Sequence, residues 1–447
     1  MGLKTFPGGV HSDDFKRFSK DSPIENFPIP SKVIIPLSQH IGAPAKPVVK
    51  IGDEVKTGQL ICEPGGFVSI SMHSSITGKV TKIGRFPHPS GNMQQAIEIT
   101  GNGKDEWVDL IDEPDFLSLS VDELKSRISS AGICGMGGAG FPTHVKLSPP
   151  PDKKIDVVII NGVECEPYLT ADYRLMIEQG ENVISGLKTF MKIVGAKTGY
   201  IGIEANKPDA IANFKKLLKD EKDISVVGLQ LKYPQGAEKQ LIYACTKRKV
   251  PNRGGLPMDV GVVVQNVGTT IATYEAVRYN KPLIERVISV TGKIVNHPRN
   301  LKARIGSSFD ELLEYCGGAN EHIGKVISGG PMMGFAIPTL NTPMAKTSSG
   351  LVIFNDKDAK KDEEHICIRC SSCIDVCPMN VMPSMIANSV KYEDWEGARK
   401  AGAMDCIKCG CCAYVCPANI KLIQWIDIGK NKITEIDRAR REKNNEK

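Results

Sequence analysis

Residues 135–142 read GMGGAGFP, and the run IDVVII follows at 155–160. Alone, a glycine-rich octamer fits an ordinary turn as readily as a phosphate-holding loop. Its setting is more informative. IDVVII is a continuous apolar run bounded by charge and by Asn161-Gly162, the pattern of a buried strand. A helical pattern follows at 172–195, then GYIGIEA (199–205) as a strand and PDAIANFKKLLKD (208–220) as a helix. ISVVGLQLKY (224–233) reads as a strand, GAEKQLIYACTKR (236–248) as a helix, GVVVQN (261–266) as a strand and GTTIATYEAVRYN (268–280) as a helix. Strands alternating with helices predict an α/β layer on a largely parallel sheet. The glycines lie before the first strand, so they do not form the Rossmann arrangement of GxGxxG, and GxxxxGK[ST] is absent. A phosphate loop here is of another kind. It places backbone N–H groups near an anion, with Lys146 adding a charge.

Outward from this core, residues 30–100 are rich in glycine and valine in short alternating runs. VKIGDEVKTGQLI (49–61) and SSITGKVTKI (74–83) resemble the barrel-sandwich hybrid of biotinyl and lipoyl carriers. In those carriers a lysine at a hairpin tip bears the cofactor. Here the tip reads SISMHSS (69–75) with no lysine, so the barrel is expected to be scaffold and His73 a surface side chain. VDELKSRISSAG (121–132) is a short helix leading into the glycine loop. Beyond 284 the pattern becomes β-rich, with ERVISVTGKI (285–294) and SGLVIF, and reads as a small α+β unit. NDKDAKKDEEH (355–365) is a charged, solvated linker, and the segment from Ile433 is a solvated helix or disordered. The expected fold class is therefore multidomain α/β. Its units are 1–115 (barrel-sandwich hybrid), 116–283 (Rossmann-like α/β core), 284–354 (a small β-rich α+β unit), 355–430 (helical cluster module) and 431–447 (charged tail).

Eight of the fourteen cysteines sit in CIRCSSCIDVCP (367–378) and CIKCGCCAYVCP (406–417), both C-x2-C-x2-C-x3-C-P. Three thiolates on a tight loop wrap three corners of one iron–sulfur cube, and the cysteine before proline reaches the other cube. Cys367, Cys370, Cys373 and Cys416 are expected to bind one [4Fe–4S] cluster, and Cys377, Cys406, Cys409 and Cys412 the second. Structural zinc more often uses paired C-x2-C units. Cys411 is off register and reads as a spare, while Cys62, Cys134, Cys165, Cys245 and Cys316 read as small buried side chains. Two clusters mean one-electron transfer.

Composition narrows the class. Hydrophobic residues make up 41% and charged residues 24%, as in an ordinary globular protein. A net charge of +6 on 447 residues, without aromatic–basic interleaving, gives no case for nucleic acid. No run of about 18 apolar residues is present, and the first residues lack a secretory signal. The expectation is a cytoplasmic protein, at most peripheral to a membrane.

Four stretches carry a family resemblance. GMGGAGFPTHVK (135–146) is similar to the flavin loop of the NADH-oxidising flavoprotein subunit of respiratory complex I, and NGVECEP (161–167), YPQGAEK (233–239) and VQNVGTT (264–270) match its later signatures. The resemblance implies FMN held by Gly135, Gly137, Gly138, Gly140, Lys146, Asn161, Asn266 and Thr269. It also implies NAD(H) stacked on the flavin near Glu238, with Glu164 and Glu166 as candidate catalytic acids. Those acids read equally as carboxylates of a solvated loop. The chain departs from the pattern at Met136, where the family has arginine, at Val163, where it has aspartate, and at Gln265, where it has asparagine. Acids beside a nucleotide ribose disfavour the extra phosphate of NADPH, so NADH is the expected donor.

The order barrel, flavoprotein core, β-grasp unit and two-cluster module, with FPGGVHSDD (6–14) and the run at 33–60, resembles the C subunits of Rnf electron transport complexes. That resemblance implies a peripheral subunit on the cytoplasmic side of a membrane. Its partners would be the membrane subunits of such a complex and the ferredoxin-like B subunit, and the complex couples ferredoxin:NAD+ electron transfer to Na+ or H+ translocation. A flavin suits the chemistry, because it takes two electrons from NADH and gives them singly to clusters. The rival readings are a corrinoid reductase acting alone and a flavin-free electron-transfer adaptor.

Overall fold

The computed structural model describes residues 2–360 and 362–445, with side chains to Lys443. Met1, Lys361 of the charged linker, and Glu446 and Lys447 of the tail lie outside the described residues. At the centre is a four-stranded, all-parallel sheet in the order Ile224–Leu229, Thr198–Glu204, Val157–Gly162, Val262–Asn266. Val157 to Ile160 are all buried, as both faces of a parallel sheet must be when helices cover them. Helices Gly180–Val194 and Val267–Tyr279 pack together on one face.

The helical pattern expected across 172–195 is two helices, Ala171–Glu178 and Gly180–Val194. The break is at Gln179, whose φ of −133° leaves the helical region. Gly180 then permits a close approach, because a Cβ there would lie 2.9 Å from a Leu217 methyl.

Two antiparallel sheets form the barrel-like unit, one in the order Lys32–Pro36, Met93–Gly101, Gly78–Pro87, Glu54–Val55, the other Lys46–Pro47, Leu60–Glu63, Met72–His73. His73, expected at the surface, is buried. It pairs in the sheet opposite Leu60, and desolvation pushes its imidazole down to about pH 3. A hairpin tip is exposed in a free carrier domain; here residues 71–75 pack against the rest of the chain, with Ser75 Oγ donating to the Ile305 carbonyl at 2.6 Å.

The six-stranded sheet of the β-grasp unit recruits an outsider. Its order is Ile24–Asn26, Arg299–Arg304, Glu285–Thr291, Gly350–Asn355, Ile323–Ser328, Phe335–Ala336, so its edge strand comes from the N-terminal segment. That segment also lies along the flavoprotein core, where Lys4 bridges Leu229 and Val10 bridges Tyr233. Residues before about 27 thus pack on the α/β core, on the β-grasp sheet and, through Gly9, on the cluster module. Within the charged linker, Asp356–Ala359 forms one helical turn capped by Asn355.

The tail is a helix, as the reading of a solvated helix or disordered segment allowed, but it is anchored by a buried seam. Helix Leu422–Asn445 runs through the expected boundary at 430. Its Ile433 is fully buried, and Asp437 accepts two hydrogen bonds from Arg399, at 2.7 and 3.1 Å. The sequence shows a polar segment, but its apolar positions still supply a seam onto Pro383–Lys391.

Candidate functional site

A cavity of about 460 Å³ opens at the carboxyl ends of the parallel strands. Open α/β sheets bind ligands at this place, where strand ends and helix N-termini converge. The glycine loop forms one wall. It closes on itself through Gly135 N donating to Phe141 O at 3.0 Å, and the first turn of helix Val267–Tyr279 pins it. Thr269 Oγ1 accepts from Met136 N at 2.9 Å and donates to Cys134 O at 3.3 Å. Gly137 has to be glycine, since a Cβ would stand 2.7 Å from Asn266 Nδ2. Gly138 has open space on that side, and Gly140 adopts φ +70° where the loop turns back.

The asparagines hold the floor. Asn266 Oδ1 caps its helix by accepting from Thr269 N at 3.2 Å, while Nδ2 donates to Asp172 at 2.6 Å. Asn161 Nδ2 donates to Gly236 O at 2.8 Å and ties the first strand to the 233–239 loop. Lys146 and Glu238 face each other across the rim at 2.6 Å.

Glu164 and Glu166 line the same cavity, but each carboxylate is partly committed. Glu164 caps helix Ala171–Glu178, accepting from Asp172 N at 2.7 Å and Tyr173 N at 3.3 Å, with the buried Lys16 ammonium 4.0 Å away. Glu166 Oε2 accepts from Met332 N at 3.0 Å, and Oε1 is buried without a partner. Burial pushes Glu166 up to about 7. Gln265 Nε2, also at the cavity, is likewise buried without a partner. Unpartnered buried polar atoms are uncommon. Two of them on one cavity, beside a glycine wall and a charged rim, fit a polar ligand such as a flavin nucleotide.

The eight motif cysteines gather as two interleaved sets. Cys367, Cys370, Cys373 and Cys416 line a cavity of about 120 Å³. Cys377, Cys406, Cys409 and Cys412 line a second, tighter one. Among the described residues no three His, Cys, Asp or Glu side chains converge as they would on a single ion. Four thiols spread around a volume suit a cube.

The backbone repeats with an offset of 39 residues. Arg369 and Lys408 both have φ 56°, Ser371 and Gly410 have φ 65° and 85°, and Asn380 and Asn419 have φ 53° and 50°. Left-handed residues flanking the second cysteine turn the chain tightly enough to aim three thiols inward. Cys411, the expected spare, is fully buried, with its sulfur 3.7 Å from Tyr233 O.

The second cysteine set adjoins the glycine-walled cavity. Ile407, within its loop, lines both. Tyr233 Oη donates to Cys409 O at 2.8 Å, and Gln240 Nε2 donates to Pro378 O at 3.1 Å. The sequence marks Tyr233 only as the first residue of YPQGAEK and does not single out Gln240. The only signal is their place beside Glu238, in a stretch already marked for the nucleotide. Cys367 and Cys370 of the other set are exposed.

Four family models match the chain: the Nuo51 FMN-binding domain at 128–275, the RnfC barrel sandwich hybrid domain at 4–104, the SLBB domain at 287–336 and the 4Fe-4S dicluster domain at 366–420. The C subunit of the proton-translocating ferredoxin:NAD(+) oxidoreductase complex of Clostridium ljungdahlii is 52% identical over 386 residues, covering 86% of this chain and 84% of the relative. Its Na(+)-translocating counterpart in Acetobacterium woodii is 44% identical over 402 residues, covering 90% of each. The C subunit of the ion-translocating oxidoreductase complex of Pseudomonas aeruginosa is 42% identical over 439 residues, covering 97% of this chain and 56% of the relative.

Proposed function

The chain belongs to the family of C subunits of ion-translocating ferredoxin:NAD+ oxidoreductase (Rnf) complexes, and from that premise we infer that it is the NAD(H)-reactive, FMN- and cluster-bearing subunit of such a complex. It is a subunit of a membrane-associated assembly, and no described helix is long and apolar enough to cross a membrane. We place it peripherally on the cytoplasmic side, where NAD(H) is found. Its partners are the membrane subunits and the ferredoxin-like B subunit, and the complex couples electron flow to Na+ or H+ translocation.

One observation carries this reading. The glycine-walled cavity and the inner cysteine set share Ile407, with Tyr233 spanning between them. FMN supplies the junction between two-electron hydride chemistry and one-electron centres. Gly135, Gly137, Gly138 and Gly140 give it backbone approach, Thr269 and Asn266 fix the loop and the helix N-terminus, and Asn161 holds the floor. Lys146 and Glu238 form the rim that an incoming nucleotide meets, and Glu238 carries the charge that disfavours NADPH. Glu164 acts by fixing helix Ala171–Glu178 at the wall. Glu166, buried between cavity and cluster loop, excludes water there. The inner set (Cys377, Cys406, Cys409, Cys412) would take electrons first. The outer set (Cys367, Cys370, Cys373, Cys416), with two exposed cysteines, would exchange them with a partner. Family membership leads away from the corrinoid reductase, and the cavity beside the glycine loop leads away from the flavin-free adaptor. Anaerobic stopped-flow mixing with NADH tests the reading. The flavin band is expected to bleach first and the cluster absorbance after it. Clusters that never respond to NADH would contradict it.

A further inference from the structure

We propose that Arg286, a side chain of the β-grasp unit, is the cation that receives the phosphate group of the flavin mononucleotide in the α/β core. The proposal rests on the flavin reading above. Arg286 is only 7% exposed, yet it lines the cavity together with Gly135, Gly137, Gly138 and Asn266. Its Nη1 donates to Lys346 O at 2.5 Å and to Met136 O, within the glycine loop, at 3.4 Å. Nε donates to the Val287 carbonyl at 3.3 Å. All three acceptors are neutral carbonyls.

No carboxylate stands within ion-pair distance of this guanidinium among the described residues. The strand explains why. Successive side chains of Glu285–Thr291 point to opposite faces. The neighbouring acid, Glu285, is therefore on the other side, paired with Lys281 at 2.7 Å and Lys302 at 2.9 Å. Of the acids lining the cavity (Glu164, Glu166, Asp172 and Glu238), Asp172 is the one whose charge acts on the arginine, and it is already bound to Asn266 Nδ2 at 2.6 Å. Burial and the neighbouring Glu164 push Asp172 up to about 7 while Arg286 pulls it back, so the two attract each other across the cavity without an ion-pair contact. Burial in turn pulls Arg286 down to about 10. A buried guanidinium left without an anion costs several kcal/mol, and a phosphate accepting its fork of donors removes that cost.

The sequence makes the same point from the other side. The flavoprotein resemblance has an arginine after the first loop glycine, and this chain has Met136 there. The charge missing from the loop is supplied across the unit boundary, at the wall where helix Val267–Tyr279 begins.

Riboflavin is FMN without the phosphate, so the ratio of the two affinities reads this contact alone. Flavin-stripped full-length protein, clusters intact, would be titrated with each flavin by fluorescence quenching. Wild type is expected to prefer FMN strongly. Arg286→Gln should cut that preference roughly 10- to 100-fold, with riboflavin affinity unchanged within about twofold. Arg286→Lys keeps the charge but loses the fork, so it should fall in between; if the glutamine variant does not fold, the lysine variant decides. An unchanged FMN-to-riboflavin ratio in the folded variants would overturn the proposal, and so would an equal loss of both flavins, which marks a purely structural role. Wild-type protein that binds neither flavin would instead sink the flavin reading itself.

Discussion

Thr269 does its work with one hydroxyl. It accepts from Met136 N and donates to Cys134 O, so it fixes the entry to the glycine loop. Thr269→Val keeps the shape and removes the hydrogen bonds, at about 1–3 kcal/mol for a buried donor left unpaired. The expected outcome is a roughly 10-fold loss of flavin affinity, equal for FMN and riboflavin because the whole loop shifts. That pattern separates Thr269 from Arg286 in the same titration. Glu166 makes a second prediction. Its folded carboxyl titrates at about 7, against about 4.3 in an unfolded chain. Between those values the folded state holds the extra proton, so stability falls as pH rises through the window. Glu166→Gln cannot ionise. Its melting temperature relative to wild type should climb from pH 5 to 7 and level off above, a relative gain of roughly 2–3 kcal/mol. A difference flat in pH would contradict the assignment. Neither the orphaned Glu166 oxygen nor the buried Arg286 was legible in sequence. Burial of a charged group is set by distant segments, and the letters around it show only a loop acid and a strand arginine.

At the level of elements, the cluster module is one unit written twice, 39 residues apart (Cys367 to Cys406, Cys377 to Cys416). The interleaved grouping of the eight cysteines into two sets was readable because iron–sulfur geometry fixes the spacing. The αL residues around the cysteines repeat in register as well. Cys411 breaks the symmetry, since its counterpart is Ser372. Cys411→Ser should therefore leave iron content intact, whereas Cys409→Ser should cost about four irons, one cube. Equal losses in both would mean that Cys411 is a ligand.

The N-terminal arm was not readable, because nothing in FPGGVHSDD says what it crosses. In the structure Gly9 N donates to Val376 O at 2.8 Å, next to Cys377 of the inner set, and Val10 pairs with Tyr233. The arm thus straps the inner cluster loop to the flavin wall. Gly9 sits at φ +83°, where a Cβ would lie 2.6 Å from Tyr233 O. Gly9→Ala should release the strap. NADH should still bleach the flavin at the wild-type rate, while cluster reduction slows several-fold. An unchanged cluster phase would mean that the arm has no part in the relay.

On the scale of the whole molecule, the chain sets a hydride site and a one-electron wire against each other. The α/β core was legible because parallel strands are continuous apolar runs, and Val157–Gly162 and Val262–Asn266 fall where the letters put them. The relations between units were not. Ile24–Asn26 completing the β-grasp sheet, His73 buried at the barrel's contact, and Arg286 reaching the glycine loop all depend on contacts between segments remote in sequence. The most direct test of the relay uses protein purified without oxygen, assayed for released flavin, iron and sulfide, then mixed with NADH. The relay predicts one FMN and about eight irons per chain, with both chromophores bleached by NADH. Intact clusters with no flavin bound after reconstitution would contradict it and reduce the glycine loop to a turn.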